Sequence, residues 1–229
     1  MVIVDSLAQI RERMAAAARR AGRDPGSVRL VAVSKRVPVE RISEAVAAGQ
    51  LLFGENYLQE AEEKIGQLPP SAQWHFIGHL QSNKAKAAAE LFAMIETVDR
   101  LKLARALDKH AAEANRLLPV LVQVNVGREE QKAGALPEAA EALLREMAVL
   151  PNLQVRGLMT MPPFFDAPET VRPFFRALRC LSEKLASKGL LGIHGPVELS
   201  MGMSGDFEVA IEEGATLVRV GTALFGPRG

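Results

Sequence analysis

Two hydrophobic periodicities take turns along the chain. Short β-branched runs occur at Leu30–Ser34, Leu51–Phe53, Trp74–Ile77 and Met94–Val98, and again at Val120–Val126, Leu153–Met159, Val197–Ser200 and Leu217–Val220. Runs of this length suit strands buried on both faces. Between them lie Ala-, Leu-, Glu- and Lys-rich stretches with apolar residues at helical spacing. Leu101, Ala104, Leu107 and Ala111 form one example, with Asp99 as the expected N-cap. The same spacing predicts helices over 39–49, 57–66, 81–92, 137–149, 168–188 and 205–213, with Gly49 and Gly189 placed to end two of them. A further helix over 5–21 precedes the first strand, with Asp5 or Ser6 as cap and Gly22 as stop.

Eight strands alternating with helices in about 200 residues match a (β/α)8 TIM barrel. The runner-up, an open doubly wound sheet, has a glycine-rich turn after its first strand. Here that turn reads Ser34-Lys35-Arg36-Val37-Pro38, without glycine. The expectation is one α/β domain over 1–229: a TIM barrel with an extra N-terminal helix.

Composition narrows the partners. Of 229 residues, 48% are hydrophobic and 24% charged, which excludes disorder and coiled coil. Lys and Arg number 28 against 27 Asp and Glu, so no nucleic-acid surface is expected. The lone Cys180, set between Leu178 and Leu181, is expected to pack in the core; it excludes an intramolecular disulfide framework and fits a reducing compartment. The N-terminus lacks a secretory leader pattern and no apolar run is long enough to span a bilayer, so a soluble, cytoplasmic chain is expected. No apolar helix face is left over, and a monomer is expected.

Active sites of such barrels lie in the loops after the strands. Candidates are therefore Lys35, Glu55 and Asn56, Gly78 and His79, Thr97 and Asp99, Asn125, Met159 and Thr160, Ser200 to Asp206, and Gly221 with Thr222. The last two loops, Ser200-Met-Gly-Met-Ser-Gly-Asp206 and Arg219-Val-Gly-Thr-Ala-Leu-Phe-Gly226, are rich in Gly, Ser and Thr where barrels commonly bind phosphate. Tight turns alone would also explain those glycines. Asp206 would repel phosphate and is expected to support a helix start.

Alternation places Val31, Val33 and Lys35 on one face of the first strand. If that face is the lumen, the amine stands at the barrel mouth, where partial desolvation would let it form a Schiff base; otherwise it snorkels to solvent. A lysine opposite a phosphate site is what pyridoxal 5′-phosphate (PLP) requires. Arg219 would face the lumen too, either toward a ligand or in an ion pair with Glu198. His75, within a strand, is expected to be structural. No two histidines have metal-ligand spacing, and no nucleophile elbow or Walker loop is present.

The motifs Val31-Ala-Val-Ser-Lys35, Phe53-Gly-Glu-Asn-Tyr-Leu-Gln-Glu60, Trp74-His-Phe-Ile-Gly-His-Leu-Gln-Ser-Asn-Lys84, Gly157-Leu-Met-Thr-Met161 and Glu198-Leu-Ser-Met-Gly-Met-Ser204, together with the Arg219–Gly226 segment, run in order over about 6–228. In these the sequence resembles the PLP homeostasis proteins, single barrels similar to the fold type III barrel of alanine racemase. The resemblance implies that Lys35 carries PLP as an aldimine. It implies that Ser200, Gly221 and Thr222 hold the phosphate, that Arg219 lies near the ring nitrogen, and that Asn56, His79 and Met201 line the pocket. Val37 stands where many members have a second lysine, and Gly205 where many have an acidic residue.

A racemase of this class needs a base on each face of the cofactor, and its two-domain members take the second from a separate β-domain. The only tyrosine, Tyr57, belongs to the barrel, and the chain stops eight residues after Gly221, so no such domain is expected. The function expected is reversible PLP binding that buffers or delivers the cofactor, with PLP-dependent apoenzymes as partners and without robust catalysis. The rivals are a weak PLP-dependent amino-acid racemase and a Schiff-base lyase acting through Lys35 on a phosphorylated sugar.

Overall fold

A computed structural model describes residues 2–227. Eight parallel strands close into a barrel in sequence order: β1 Arg29–Val33, β2 Leu52–Glu55, β3 Gln73–Phe76, β4 Met94–Val98, β5 Leu118–Gln123, β6 Leu153–Met159, β7 Glu198–Ser200 and β8 Leu217–Val220. Closure is made by β1 pairing with β8, with Val31 opposite Arg219. The open sheet is excluded.

The outer ring is α2 Val39–Ala47, α3 Leu58–Ile65, α4 Ala85–Leu91, α5 Leu101–Glu113, α6 Ala140–Met147, α7 Arg172–Ser187 and α8 Phe207–Glu212, with α1 Ile3–Arg20 ahead of the barrel. A short α9, Thr222–Phe225, follows β8 and was not foreseen in the pattern.

Where the elements differ from expectation, packing decides. The α1 helix begins at Ile3, with Val2 rather than Asp5 or Ser6 in the cap position. Ile3 is buried in line with Leu7, Ile10 and Met14, so extending the helix by one turn buries another apolar side chain. Gly22 ends it at a φ of 67°, as expected. Arg100 rather than Asp99 occupies the cap position of α5, and Asp99 pairs with the Arg100 guanidinium. Strand β2 runs on through Glu55. Cys180 is exposed, because the buried stripe of α7 is Phe175, Leu178, Ser182 and Leu185, and Cys180 lies well round the helix from Leu178.

The pleat sends alternate residues to two cores. The larger fills the space between barrel and helices and includes Phe53 stacked on Trp74 at 5.1 Å. The smaller fills the lumen with Val31, Met94, Leu121, Met159 and Leu217. A Cβ on Gly54 would come within 2.8 Å of both Val31 and Ile77, so at that point the lumen has room for glycine alone. No helix among the described residues is long and apolar enough to cross a membrane.

Phe53 is fully buried in the outer core, and Phe53→Ala is expected to cost about 3–5 kcal/mol in denaturant unfolding, with the slope unchanged.

Candidate active site at the barrel mouth

Four polar side chains stand in the lumen because their strand neighbours face outward. His75 lies between Trp74 and Phe76, Ser200 between Leu199 and Met201, and Arg219 between Val218 and Val220, all six in the outer core; Glu96 follows Ile95, which is there too. They form one chain of hydrogen bonds. His75 Nδ1 lies 2.6 Å from Glu96 Oε1. Ser200 donates to Glu96 Oε2 at 2.5 Å and accepts from Arg219 at 2.5 Å. Arg219 also donates to the Thr160 carbonyl at 2.7 Å. Glu198, the partner once open to Arg219, pairs instead with Arg29 at 2.6 Å.

Burial alone would push the Glu96 carboxyl up. Hydrogen bonds from His75 and Ser200, with the charges of His75 and Arg219, outweigh it and hold Glu96 below its ordinary value. Burial likewise draws the Arg219 guanidinium down, against the opposing pull of Glu96 and Asp206. It remains a cation, as arginine does in proteins.

Above this chain opens a cavity of about 320 Å³, a volume suited to a small ligand. Lys35, Asn56, Arg219, Gly221 and Thr222 line it, so the structure brings these five expected residues together. The other three are elsewhere. The Ser200 hydroxyl is held by Glu96 and Arg219, Met201 is buried in the outer core, and His79 is exposed on the rim of two neighbouring pockets. Tyr57 is half exposed and borders one of those neighbours.

The wall also includes Met203, Ser204 and Gly205, from the Ser200–Asp206 stretch expected to bear the site, and, from the loop after β6, Phe164, which the sequence did not single out. Ser204 lay inside a loop already suspected of binding phosphate. Its hydroxyl accepts from the backbone N–H groups of Gly221 and Ala223 at 3.3 and 3.4 Å, both long. The N–H groups of Ser204, Gly205 and Thr222 have no acceptor among the described residues. Asp206 turns away from them: its carboxylate takes the Met203 N–H at 2.6 Å, which braces the loop ahead of α8, and burial raises its pKa. Glu96 could have been found by alternation with Met94 along its strand.

The arrangement defines a class: a closed α/β barrel with a lysine at one side of its mouth and converging N–H and hydroxyl groups at the other. Residues 6–229 match the family described as "Alanine racemase, N-terminal domain". A pyridoxal phosphate homeostasis protein of Aquifex aeolicus is 45% identical over 225 residues, 98% of this chain and 97% of its own. The PipY structure of Synechococcus elongatus PCC7942 with PLP bound is 39% identical with a TM-score of 0.85, covering 98% of this chain and all of that one. Alanine racemase of Corynebacterium glutamicum, at 22% identity and a TM-score of 0.70, shares the fold, with 98% of this chain matched to 62% of the racemase. The chain belongs to the pyridoxal phosphate homeostasis protein family.

Because its folded pKa is depressed, Glu96 contributes stability that is present above its ordinary value of 4.5 and is lost as pH falls through the folded value. Glu96→Gln is expected to cost about 3–5 kcal/mol at neutral pH, and the gap from wild type should close in unfolding titrations carried below that pH. A gap that stays constant into acid would contradict an ionised Glu96.

Proposed function

We propose that this protein binds PLP reversibly at Lys35 and serves as a cytoplasmic reservoir or donor of the cofactor for PLP-dependent apoenzymes. The observation that carries the reading is the single cavity on which Lys35, Arg219 and the N–H groups of two glycine-containing loops converge. The residues present fit the group. The unpaired N–H groups of Ser204, Gly205 and Thr222 are donors for a phosphate, and the Thr222 hydroxyl adds another. Arg219, pinned at both ends of its guanidinium by Ser200 and Thr160, presents a cation toward the ring, and Ser200 acts by orienting it. Val33 and Ile77 supply an apolar floor.

When bound, PLP supplies an aldehyde that condenses reversibly with a lysine amine. Everything else is set by this chain. Lys35 and Arg219 are the only titratable side chains on the cavity wall among the described residues. Neither His79, Tyr57 nor any carboxylate is there to hold a proton on the face opposite Lys35, which supports storage over racemisation and over lyase chemistry. Phe164 is 80% exposed on the rim, so the mouth is open to exchange.

PLP added to the purified protein is expected to give a yellow species that borohydride fixes onto Lys35, as peptide mass mapping would show, and that Lys35→Ala abolishes. Alanine turnover by the loaded protein should not exceed that of free PLP; turnover well above it would restore the racemase reading. Ser204→Asp places a carboxylate against the N–H groups and should weaken PLP by about tenfold or more while leaving pyridoxal, which lacks the phosphate, unaffected. Equal losses for both ligands in a binding titration would move the phosphate elsewhere.

A further inference from the structure

Behind the turn that bears Lys35, on the side away from the cavity, lies a second buried polar cluster. Lys64 of α3, 8% exposed, donates to the Ser34 carbonyl at 2.7 Å, to Glu55 at 3.0 Å and to Glu60 at 2.6 Å. The Ser34 hydroxyl donates to the same Glu55 oxygen at 2.7 Å. Glu60 accepts the backbone N–H of Arg36. Arg36 has a φ of 56°, a left-handed conformation that an L-residue with a long side chain avoids unless its surroundings impose it.

Two backbone groups flank Lys35, the carbonyl before it and the N–H after it. One ion pair, a single helical turn apart on α3, holds both. We propose that Glu60 and Lys64 are the positioning residues of Lys35: their pair clamps its turn in the strained conformation that aims the side chain into the cavity. Glu60 is the distinctive member. Lys64 and Glu55 would remain a neutral buried pair without it, whereas the Arg36 N–H would lose its acceptor and the strain at Arg36 would lose its restraint. The turn would then relax and swing Lys35 away from the mouth. A misplacement of this kind is worth an order of magnitude or more in reactivity, whereas Glu60 is the more exposed member of the pair at 22% and only one of three acceptors of Lys64, so its loss should cost stability modestly.

This inference rests on Lys35 as the PLP-bearing residue, so its test includes a readout that needs no cofactor. The variants are Glu60→Ala, Glu60→Gln, which keeps an acceptor oxygen, and Glu60→Ala with Arg36→Gly, in which glycine takes a positive φ without strain. Two quantities are measured: the dissociation constant for PLP, and the labelling of Lys35 relative to surface lysines in the cofactor-free protein, by trace acetic anhydride and peptide mass analysis. Glu60→Ala should weaken PLP about tenfold or more and change relative Lys35 labelling by about threefold or more. Glu60→Gln should stay within about threefold of wild type, and Arg36→Gly should restore most of the loss in the double variant.

Unchanged labelling and affinity in Glu60→Ala overturn the clamp, as does an equal loss in Glu60→Gln or a failure of Arg36→Gly to rescue. Should Glu60→Ala not fold, the fully charged clamp would be a general stability element and the proposal would fall. If wild type itself fails to take PLP at Lys35, the functional reading falls, while the labelling series still decides the clamp.

Discussion

The guanidinium of an arginine that is only 3% exposed, inside a barrel, must be matched by acceptors, and the lumen is organised around meeting that demand. The partners of Arg219 come from different strands: Ser200 from β7, Glu96 from β4 through that serine, His75 from β3 behind the glutamate, and the carbonyl of Thr160 just past β6. One cation therefore ties together five of the eight strands. It also stands between two regions of the lumen, an apolar plug of Val31, Met94, Leu121, Met159 and Leu217 and the open cavity at the mouth. Low dielectric strengthens each of these bonds and makes each loss costly, so the chain of hydrogen bonds specifies as well as stabilises.

The clamp behind Lys35 repeats this logic outside the barrel. There the buried cation is Lys64, and its acceptors Glu55, Glu60 and the Ser34 carbonyl lie where strand gives way to loop. Each cation on the cavity wall thus has a buried polar cluster behind it, the second of which leaves Glu55 Oε2 without a partner among the described residues. A loop that must hold an amine in one place cannot rely on apolar packing alone, since its backbone groups need partners wherever they are buried.

Much of this was legible in the chain. Alternation placed Lys35 and Arg219 on the lumenal face, and the count of strands gave the barrel, because both follow from the pleat and from burial on two faces. The site was read less completely. The family resemblance implied Ser200 as a phosphate donor, yet the pleat turns its hydroxyl down to Glu96 and Arg219, and Ser204 four residues on holds the position beside Gly221. Met201, the next residue, turns outward for the same reason. His79 follows its strand too closely to be distinguished from a wall residue by sequence, and only the loop path shows it on the outer rim. Cys180 and the start of α1 were misjudged because a helix chooses its buried stripe from all its turns together, which a pair of flanking leucines does not reveal.

The Ser204 hydroxyl, bridging the N–H groups of Gly221 and Ala223, already occupies with a neutral oxygen the kind of place an anion's oxygen would take. An anion arriving there would meet that oxygen as a competing acceptor, and besides the N–H groups of Ser204, Gly205 and Thr222 its advantage over a neutral ligand would come from charge. A phosphate monoester acquires its second negative charge near pH 6. Discrimination at this loop should accordingly favour the dianion, rising through that pH and fading as salt screens the field.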